Sequence, residues 1–469
     1  MSALILSLLI TGCDDGPVKP PAVAGAFYPA EPEKLRANVR GMLSKANFKE
    51  QSGRLITLIS PHAGYVYSGS VAASGYRQLD GKSYKTVVLI GSSHKESYKG
   101  AAVLARGSLA TPLGNVRIDE KAVRALIDEK AGVRVYPKAF EKEHSLEVQL
   151  PFLQEVLRPG FKVVPILMGL TDQRVFDHLA AGLARLSARE DVLIIASTDL
   201  SHYHNSETAL KKDKKIINAL RRLSVAESSR LIRSGEAEMC GADAVLIALE
   251  AARRVGANRA ELFSYLNSGH VTGDLSRVVG YASIGLFNDP LTEDNRRELL
   301  QIARDTITSF VMDGTVPEHN VTDPRFLADG AVFVTINKQG RLRGCIGDVQ
   351  PTRSLLESVV GNAVRASSSD PRFPPMTPAE LGQMELEISI LSHLTPVAHV
   401  DEIEVGRHGL LIRKGARSGL LLPQVPIQQG WDKDTFLKQL CAKAGLQPGS
   451  CRQGATIYRF TADVFHEGS

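Results

Sequence analysis

The strongest constraint on how this chain can fold is a pattern that recurs along its first half. A short apolar run rich in β-branched residues stops abruptly at a polar loop that carries histidine. Residues 55–60 lead into Pro61-His62-Ala63-Gly64-Tyr65, and residues 86–90 lead into Ser92-Ser93-His94. Residues 192–196 lead into Asp199-Leu200-Ser201-His202-Tyr203-His204. Short, almost continuously apolar runs suit strands buried on both faces. Residues 163–168 and 278–287 read the same way. Between the runs, Leu35, Val39, Met42 and Leu43 share one helical face, as do Leu146, Leu150, Leu153 and Leu157, and Ala242, Leu246, Ala248 and Leu249. Strands alternating with helices predict an α/β domain, a parallel or mixed sheet with helices on both faces. The carboxyl ends of parallel strands deliver their loops to one edge, where ligands bind.

A chain of 469 residues exceeds one ordinary core, so at least two domains are expected. The polar stretch at residues 288–294, which contains Pro290, marks the break. We therefore expect three parts: residues 1–20 as a signal and tether, 21–289 as the α/β domain, and 290–469 as a second domain. The second part is α+β in style. Leu299, Ile302, Ala303, Ile307, Phe310 and Val311 form a helical stripe, whereas Met384-Glu385-Leu386-Glu387-Ile388-Ser389-Ile390 alternates strictly, as a half-buried strand does. Further strands are expected at 331–336, 410–412, 420–422 and 456–460, with helices near 355–364 and 436–444. The formal charge of +5 comes without a dense Lys/Arg block, and there is a single Trp, so nothing supports nucleic-acid binding. Five cysteines, scattered and odd in number, are not a disulfide framework.

Residues 3–10 are apolar, and Ile10-Thr11-Gly12-Cys13 resembles a bacterial lipoprotein processing box, with Cys13 as the lipidated residue. Asp14, Asp15, Gly16 and two prolines would form a tether. The segment before the apolar run lacks Lys and Arg, and the run is short for a signal peptide. The reading is an inner-membrane lipoprotein; the alternative is a cytoplasmic N-terminus with an incidental cysteine.

His62 and His94 both follow predicted strands and neighbour small residues. Two such imidazoles and one anionic group make a three-ligand site with open positions, the minimum for catalytic zinc or non-haem iron. Asp199 can orient an imidazole, bind metal or act as a base, or it can cap the next turn. His202 is placed to act as acid–base, and His204 further out reads as a surface residue. His144 precedes a helix with Glu147 one turn on, a pair that can share a site or bond to each other. Cys240, in Met239-Cys240-Gly241-Ala242-Asp243, is open to three readings: thiolate ligand, redox thiol or buried core residue. His270 can line the same edge.

In the second domain, Arg341-Leu342-Arg343-Gly344-Cys345-Ile346-Gly347 stands out. Neighbouring arginines would lower the Cys345 thiol pKa. The competing reading is a β-hairpin whose glycines accommodate a bulge around a buried cysteine. Asp370-Pro371-Arg372-Phe373-Pro374-Pro375 is a rigid extended loop that can lie beside it.

At these residues a resemblance becomes specific. Residues from about 21 to 287 resemble the Memo family through Ala24-Gly25-Ala26-Phe27-Tyr28-Pro29, Pro61-His62-Ala63-Gly64-Tyr65, Gly91-Ser92-Ser93-His94, Glu143-His144-Ser145-Leu146-Glu147-Val148-Gln149-Leu150-Pro151, Ser197-Thr198-Asp199-Leu200-Ser201-His202 and Cys240-Gly241. Residues from about 297 to 465 resemble the AMMECR-type domain, through Leu342-Arg343-Gly344-Cys345-Ile346-Gly347 and Asp370-Pro371-Arg372-Phe373. Proteins of these two types are often encoded beside a radical-SAM enzyme (the AmmeMemoRadiSam system), which the resemblance offers as a partner. It also implies the fold of class III extradiol dioxygenases, which are non-haem iron enzymes. Carried over by motif, His62, His94 and Cys240 would hold one transition metal, iron or copper ahead of zinc. Asp199 and His202 would line the pocket, with His144 close by. A Cys in place of the dioxygenases' Glu puts catechol cleavage in doubt.

Three functions follow. The first is a metal-dependent oxidoreductase using His202, Asp199 and His144. The second is a non-catalytic module that presents the same pocket to a protein or peptide; otherwise the ligand is an unknown small molecule or peptide. The third is a metal hydrolase with Asp199 as base. Substrate and reaction are not legible in the chain.

Overall fold

The computed structural model of the chain describes residues 16–397, 399–447 and 454–467. Cys13 and its lipoprotein box lie outside the described residues. Among the described residues no helix is long and apolar enough to cross a membrane.

In chain order the first unit contains α1 (Pro32–Lys45), β1 (Arg54–Ser60), α2 (Tyr65–Tyr76), β2 (Thr86–Ser92), β3 (Ala101–Val103), β4 (Val133–Val135) and β5 (Lys162–Met168). It continues with α3 (Gln173–Ser187), β6 (Val192–Ser197), β7 (His202–His204), α4 (Ser206–Arg221), α5 (Ala242–Arg254), β8 (Arg259–Asn267) and β9 (Val278–Asn288). These strands form one nine-stranded mixed sheet in the order β7-β9-β1-β6-β2-β5-β3-β4, with β8 also on β9. The four central strands β1, β6, β2 and β5 are mutually parallel. They are the apolar runs of the sequence, and all but their end residues are buried. Parallel pairing needs crossover connections, so helices cover the sheet and leave the strands no wet face. Side-chain caps start two of these helices: Asp172 accepts from Arg174 and Val175 N–H on α3, and Asn205 accepts from Thr208 N–H on α4.

β8 escapes sequence reading. Its charged and polar residues break the apolar run, and most of the strand is only half-buried. It pairs with β9 antiparallel, one strand beyond the parallel centre.

The second unit is α+β. It contains α6 (Glu293–Asp313), β10 (Ala331–Lys338), β11 (Arg341–Gly347), α7 (Leu355–Ser368), β12 (Met384–Leu391), β13 (Thr395–Pro396), β14 (Gly409–Lys414), β15 (Arg417–Leu421), α8 (Lys433–Lys443), β16 (Thr456–Phe460) and β17 (Ala462–His466). Two antiparallel sheets have the orders β11-β10-β12-β17 and β13-β16-β14-β15. The alternation of β12 places Met384, Leu386 and Ile388 on the core face, with Glu385 exposed. Capping boxes at Thr292/Asn295 and Ser354/Glu357 start α6 and α7. Cys240 and Cys345 are free thiols, while Cys441 on α8 is disulfide-bonded.

Polar contacts tie the units together. Arg222, just past α4, holds the Asp329 carboxylate at 3.1 Å, and its carbonyl accepts the Asp329 N–H. His393 reaches Glu250 on α5 at 3.1 Å, and Arg254 donates to the same carboxylate at 2.9 Å. Burial by itself would raise the Glu250 carboxyl, but His393 and the arginines outweigh it and hold it at about 2. A carboxylate depressed in the folded state stabilises above its ordinary value of 4.5, and that contribution is lost as pH falls from there toward about 2. Glu250→Gln should therefore lower the calorimetric Tm at pH 7 and lower it less at pH 3. An equal Tm gap at the two pH values would contradict this.

Candidate metal centre

Three histidines reach one point from three places in the chain. His62 and His94 stand two residues beyond the carboxyl ends of β1 and β2. His144 lies in the loop before the short helix Leu150–Val156. One ligand nitrogen from each lies within 4.8 Å of the other two. The ring centroids are 5.0 Å (His62–His94), 5.4 Å (His62–His144) and 4.8 Å (His94–His144) apart.

The surrounding hydrogen bonds set the tautomers. Ser197 Oγ donates to the Ser145 carbonyl at 2.6 Å and accepts from Gln149 Nε2, so toward His62 it can only accept. His62 Nδ1, 2.9 Å away, is then the protonated nitrogen, and Nε2 keeps its lone pair. Glu143 does the same for His94, accepting from Nδ1 at 3.0 Å, and lies 3.3 Å from His144 Nδ1. Only 3 % exposed, it also accepts the backbone N–H of His94, His144 and Ser145. Burial would raise its pKa, but the His94 and Ser145 hydrogen bonds bring it down to about 2. Burial lowers His62 well below the usual imidazole range and His144 to about 4. His62 and His144 are thus neutral imidazoles beside an ionised carboxylate. That is the protonation state metal ligands require, with the outer carboxylate that usually orients them. The residues fit a metal.

Cys240 Sγ lies 3.1 Å from His62 Nε2 and accepts the Asp199 N–H at 3.2 Å. Burial, then the charge of Asp199, pushes the thiol up to about 12, so the S–H donates to His62. Gly241 allows this approach, since a Cβ there would stand 2.4 Å from the Ser197 carbonyl oxygen. The clustered nitrogens therefore belong to His62, His94 and His144, and Cys240 flanks them through His62. The motif carry-over expected the set His62, His94 and Cys240 with His144 close by. Glu143, beside both the His94 and His144 rings, brings His144 into the group, and Cys240 adjoins it through His62.

Asp199 Oδ1 accepts the His62 N–H at 2.8 Å, and burial raises its carboxyl to about 7 despite that bond. His202 turns Nδ1 to the Leu200 carbonyl at 2.7 Å, which leaves Nε2 free, and burial lowers its pKa. His204 pairs with Glu238 instead. His270 is exposed and bonded within its own turn to Asn267. Glu147 does not pair with His144. It is buried and accepts from Lys19 Nζ, Ala22 N–H, Val23 N–H and Tyr28 Oη, pinning the segment that precedes α1. Sequence reasoning assigned no role to Glu143 or to Asp213, a buried α4 residue that accepts the Ser201 N–H at 3.0 Å. For Glu143 the signal was its place beside His144; for Asp213 there was none.

In the second unit, β10 and β11 form a hairpin with an irregularity between Ile336 and Asn337. Both glycines of the motif serve packing. A Cβ on Gly344 would meet the Ala366 carbonyl oxygen of α7 at 2.2 Å, and one on Gly347 would meet the Phe333 ring at 2.2 Å. Thr335 Oγ1 donates to Cys345 Sγ at 3.2 Å, Asp370 accepts the Cys345 N–H, and Arg372 donates to the Cys345 carbonyl. Arg343 is occupied by Glu380. The expected lowering of the Cys345 pKa does not occur, because burial pushes the thiol up and outweighs Thr335 and Arg372. Native Cys345 should react slowly with iodoacetamide near neutral pH and rapidly once unfolded, as read by peptide mapping. Fast, pH-dependent labelling of the folded protein would make this hairpin a reactive site.

A group of imidazoles that could hold a metal ion, at the carboxyl edge of a mixed α/β sheet, defines the class, an α/β protein here followed by an α+β domain. The family model for Memo-like protein matches residues 19–285, and the AMMECR1 model matches residues 300–465. The chain belongs to the Memo family and carries an AMMECR1 domain behind its Memo domain. It is 38% identical over 275 residues to a MEMO1 family protein of Methanopyrus kandleri, covering 56% of this chain and 97% of that protein. It is 35% identical over 269 residues to a MEMO1 family protein of Methanosarcina barkeri, covering 57% of this chain and 99% of that protein. The crystal structure of an uncharacterized protein from Pyrococcus horikoshii matches 36% of this chain and 90% of its own, with 37% identity and a TM-score of 0.36.

Proposed function

We propose that the chain holds one transition metal through His62, His94 and His144, with Cys240 as the adjoining thiol, and carries out redox-linked chemistry on a small molecule or peptide. The observation behind this reading is the convergence of three imidazoles, with His62 buried, His144 half-buried and His94 at the solvent edge, whose ligand nitrogens lie within 4.8 Å of one another. Imidazole beside a thiol suits iron or copper, with zinc as the alternative. When bound, the ion would supply Lewis-acid or one-electron chemistry. Glu143 and Ser197 hold the ring orientations. His202 Nε2 is free to carry a proton. A radical-SAM protein is the proposed partner, and Cys13 the proposed membrane tether.

A second reading, a metal-dependent hydrolase, draws on one observation: Asp199 is held near 7, where a general base works best.

Elemental analysis of full-length protein purified without oxygen tests both. About one metal per chain is expected, lost in His62→Ala, His94→Ala and His144→Ala and weakened in Cys240→Ser. Iron or copper favours the redox reading and zinc the hydrolase. Full metal retention in all three histidine variants would overturn the site.

A further inference from the structure

The rim of the histidine pocket carries apolar surface that the metal reading does not use. Tyr203, next to His202, is 64 % exposed and sits at φ 63°, a backbone region a bulky residue rarely adopts. The cause is a register shift in the β7–β9 pairing, where His202 opposes Val279, His204 opposes Val278, and Tyr203 bulges out between them. Bulges beside functional sites re-aim a side chain, and backbone strain of this kind persists where surrounding structure enforces it. The Tyr203 ring meets the edge of the His202 ring at 5.7 Å between centroids. The Arg277 guanidinium stands over it, 5.2 Å from its centroid.

More exposed apolar groups border the same place. Val66 and Tyr67 open α2, directly after the His62 loop, and both are exposed. Leu275 is exposed, and its carbonyl accepts the Ser206 N–H, which holds the loop ending at Arg277 against the end of β7.

No carboxylate lies within ion-pair distance of Arg277 among the described residues; Asp274, which feels it, is bonded to Ser276. Glu238 is taken by His204 and Lys212.

We propose that this rim recognises a small organic acid with an aromatic or apolar body. Arg277 takes the acid group, and Tyr203 packs against the body, which then lies beside His202. A guanidinium already stacked on a ring is preorganised for a carboxylate or similar anion and needs no rearrangement to bind it. A folded protein partner would need about 800 Å² of surface on each side, which this handful of side chains does not provide. The proposal rests on the pocket being a ligand site, and its test is independent of the metal.

The test uses full-length protein stripped of metal by a chelator, with phenylacetate as probe, phenylacetamide as its uncharged counterpart and inorganic phosphate as an anion without a body, read by titration calorimetry or saturation-transfer NMR. Phenylacetate should bind about tenfold tighter than phenylacetamide, the charge-assisted bond being the difference. Arg277→Gln should remove that advantage and leave the amide unchanged. Tyr203→Gly, which suits the positive φ and so should preserve the fold, should weaken acid and amide alike. Equal binding of acid and amide, phosphate binding as tightly as phenylacetate, or no change in either variant would overturn the proposal. So would binding of an acidic peptide without binding of phenylacetate. Metal content measured on the same preparations shows separately whether the metal reading stands.

Discussion

Glu143→Gln is expected to weaken metal retention about 10–100-fold, the usual cost of losing the carboxylate behind a histidine ligand. One residue holds much of this site in place. Its carboxylate accepts from the His94 ring and from the backbone N–H of His94, His144 and Ser145, and it sits against the His144 ring. A Gln side chain keeps one acceptor but presents an amide N–H₂ where acceptors are needed. His94 would then lose the partner that fixes its Nδ1 proton, and His144 the charge beside its ring. Chelator competition at neutral pH reads the effect, and circular dichroism should show an unchanged fold. Glu147→Gln makes the control, because Glu147 serves the segment before α1 and touches none of the three rings. Equal metal retention in both variants would show that Glu143 does not orient the ligands.

Asp213→Ala should cost stability more than it costs metal binding. Asp213 is buried and accepts from Ser201 N–H at 3.0 Å and Tyr265 Oη at 2.8 Å. β9 makes room for it with Gly280, where a Cβ would stand 1.9 Å from Oδ2. Alanine leaves two donors unpaired, each costing about 1–3 kcal/mol, so a loss of about 2–6 kcal/mol is expected in urea denaturation. Because Ser201 precedes His202, the His202 imidazole signals should also broaden or shift in NMR. A loss below about 1 kcal/mol would mean that solvent replaces the carboxylate.

The strand ends carrying His62, His94 and Asp199 could be read from the chain because the signal is local. An apolar run followed by a polar loop reports burial residue by residue, and the central strands begin and end within a residue or two of where the runs do. The alternation of β12 was legible for the same reason. β8 was not, because a strand paired outside the parallel centre need not be uniformly apolar. The Cys345 hairpin was legible as shape, but the sign of its thiol shift was not. Arginines nearby in sequence favour the thiolate, whereas burial, which outweighs them, belongs to the folded chain.

The sequence by itself determined the α/β character of the first domain, the α+β character of the second, and the loops from which His62, His94, His144, Asp199, His202 and Cys240 come, since periodicity and composition act over a few residues. Only the tertiary structure decided how those side chains meet. Glu143 draws His94 and His144 together, the Cys240 thiol stays on the flank of His62, Glu147 turns away to Lys19 and Tyr28, and Tyr203 bulges into the rim. Each of these depends on which hydrogen-bond partners lie within about 3 Å, and partners far apart in sequence reach that range only once the sheet has brought its loops to one edge.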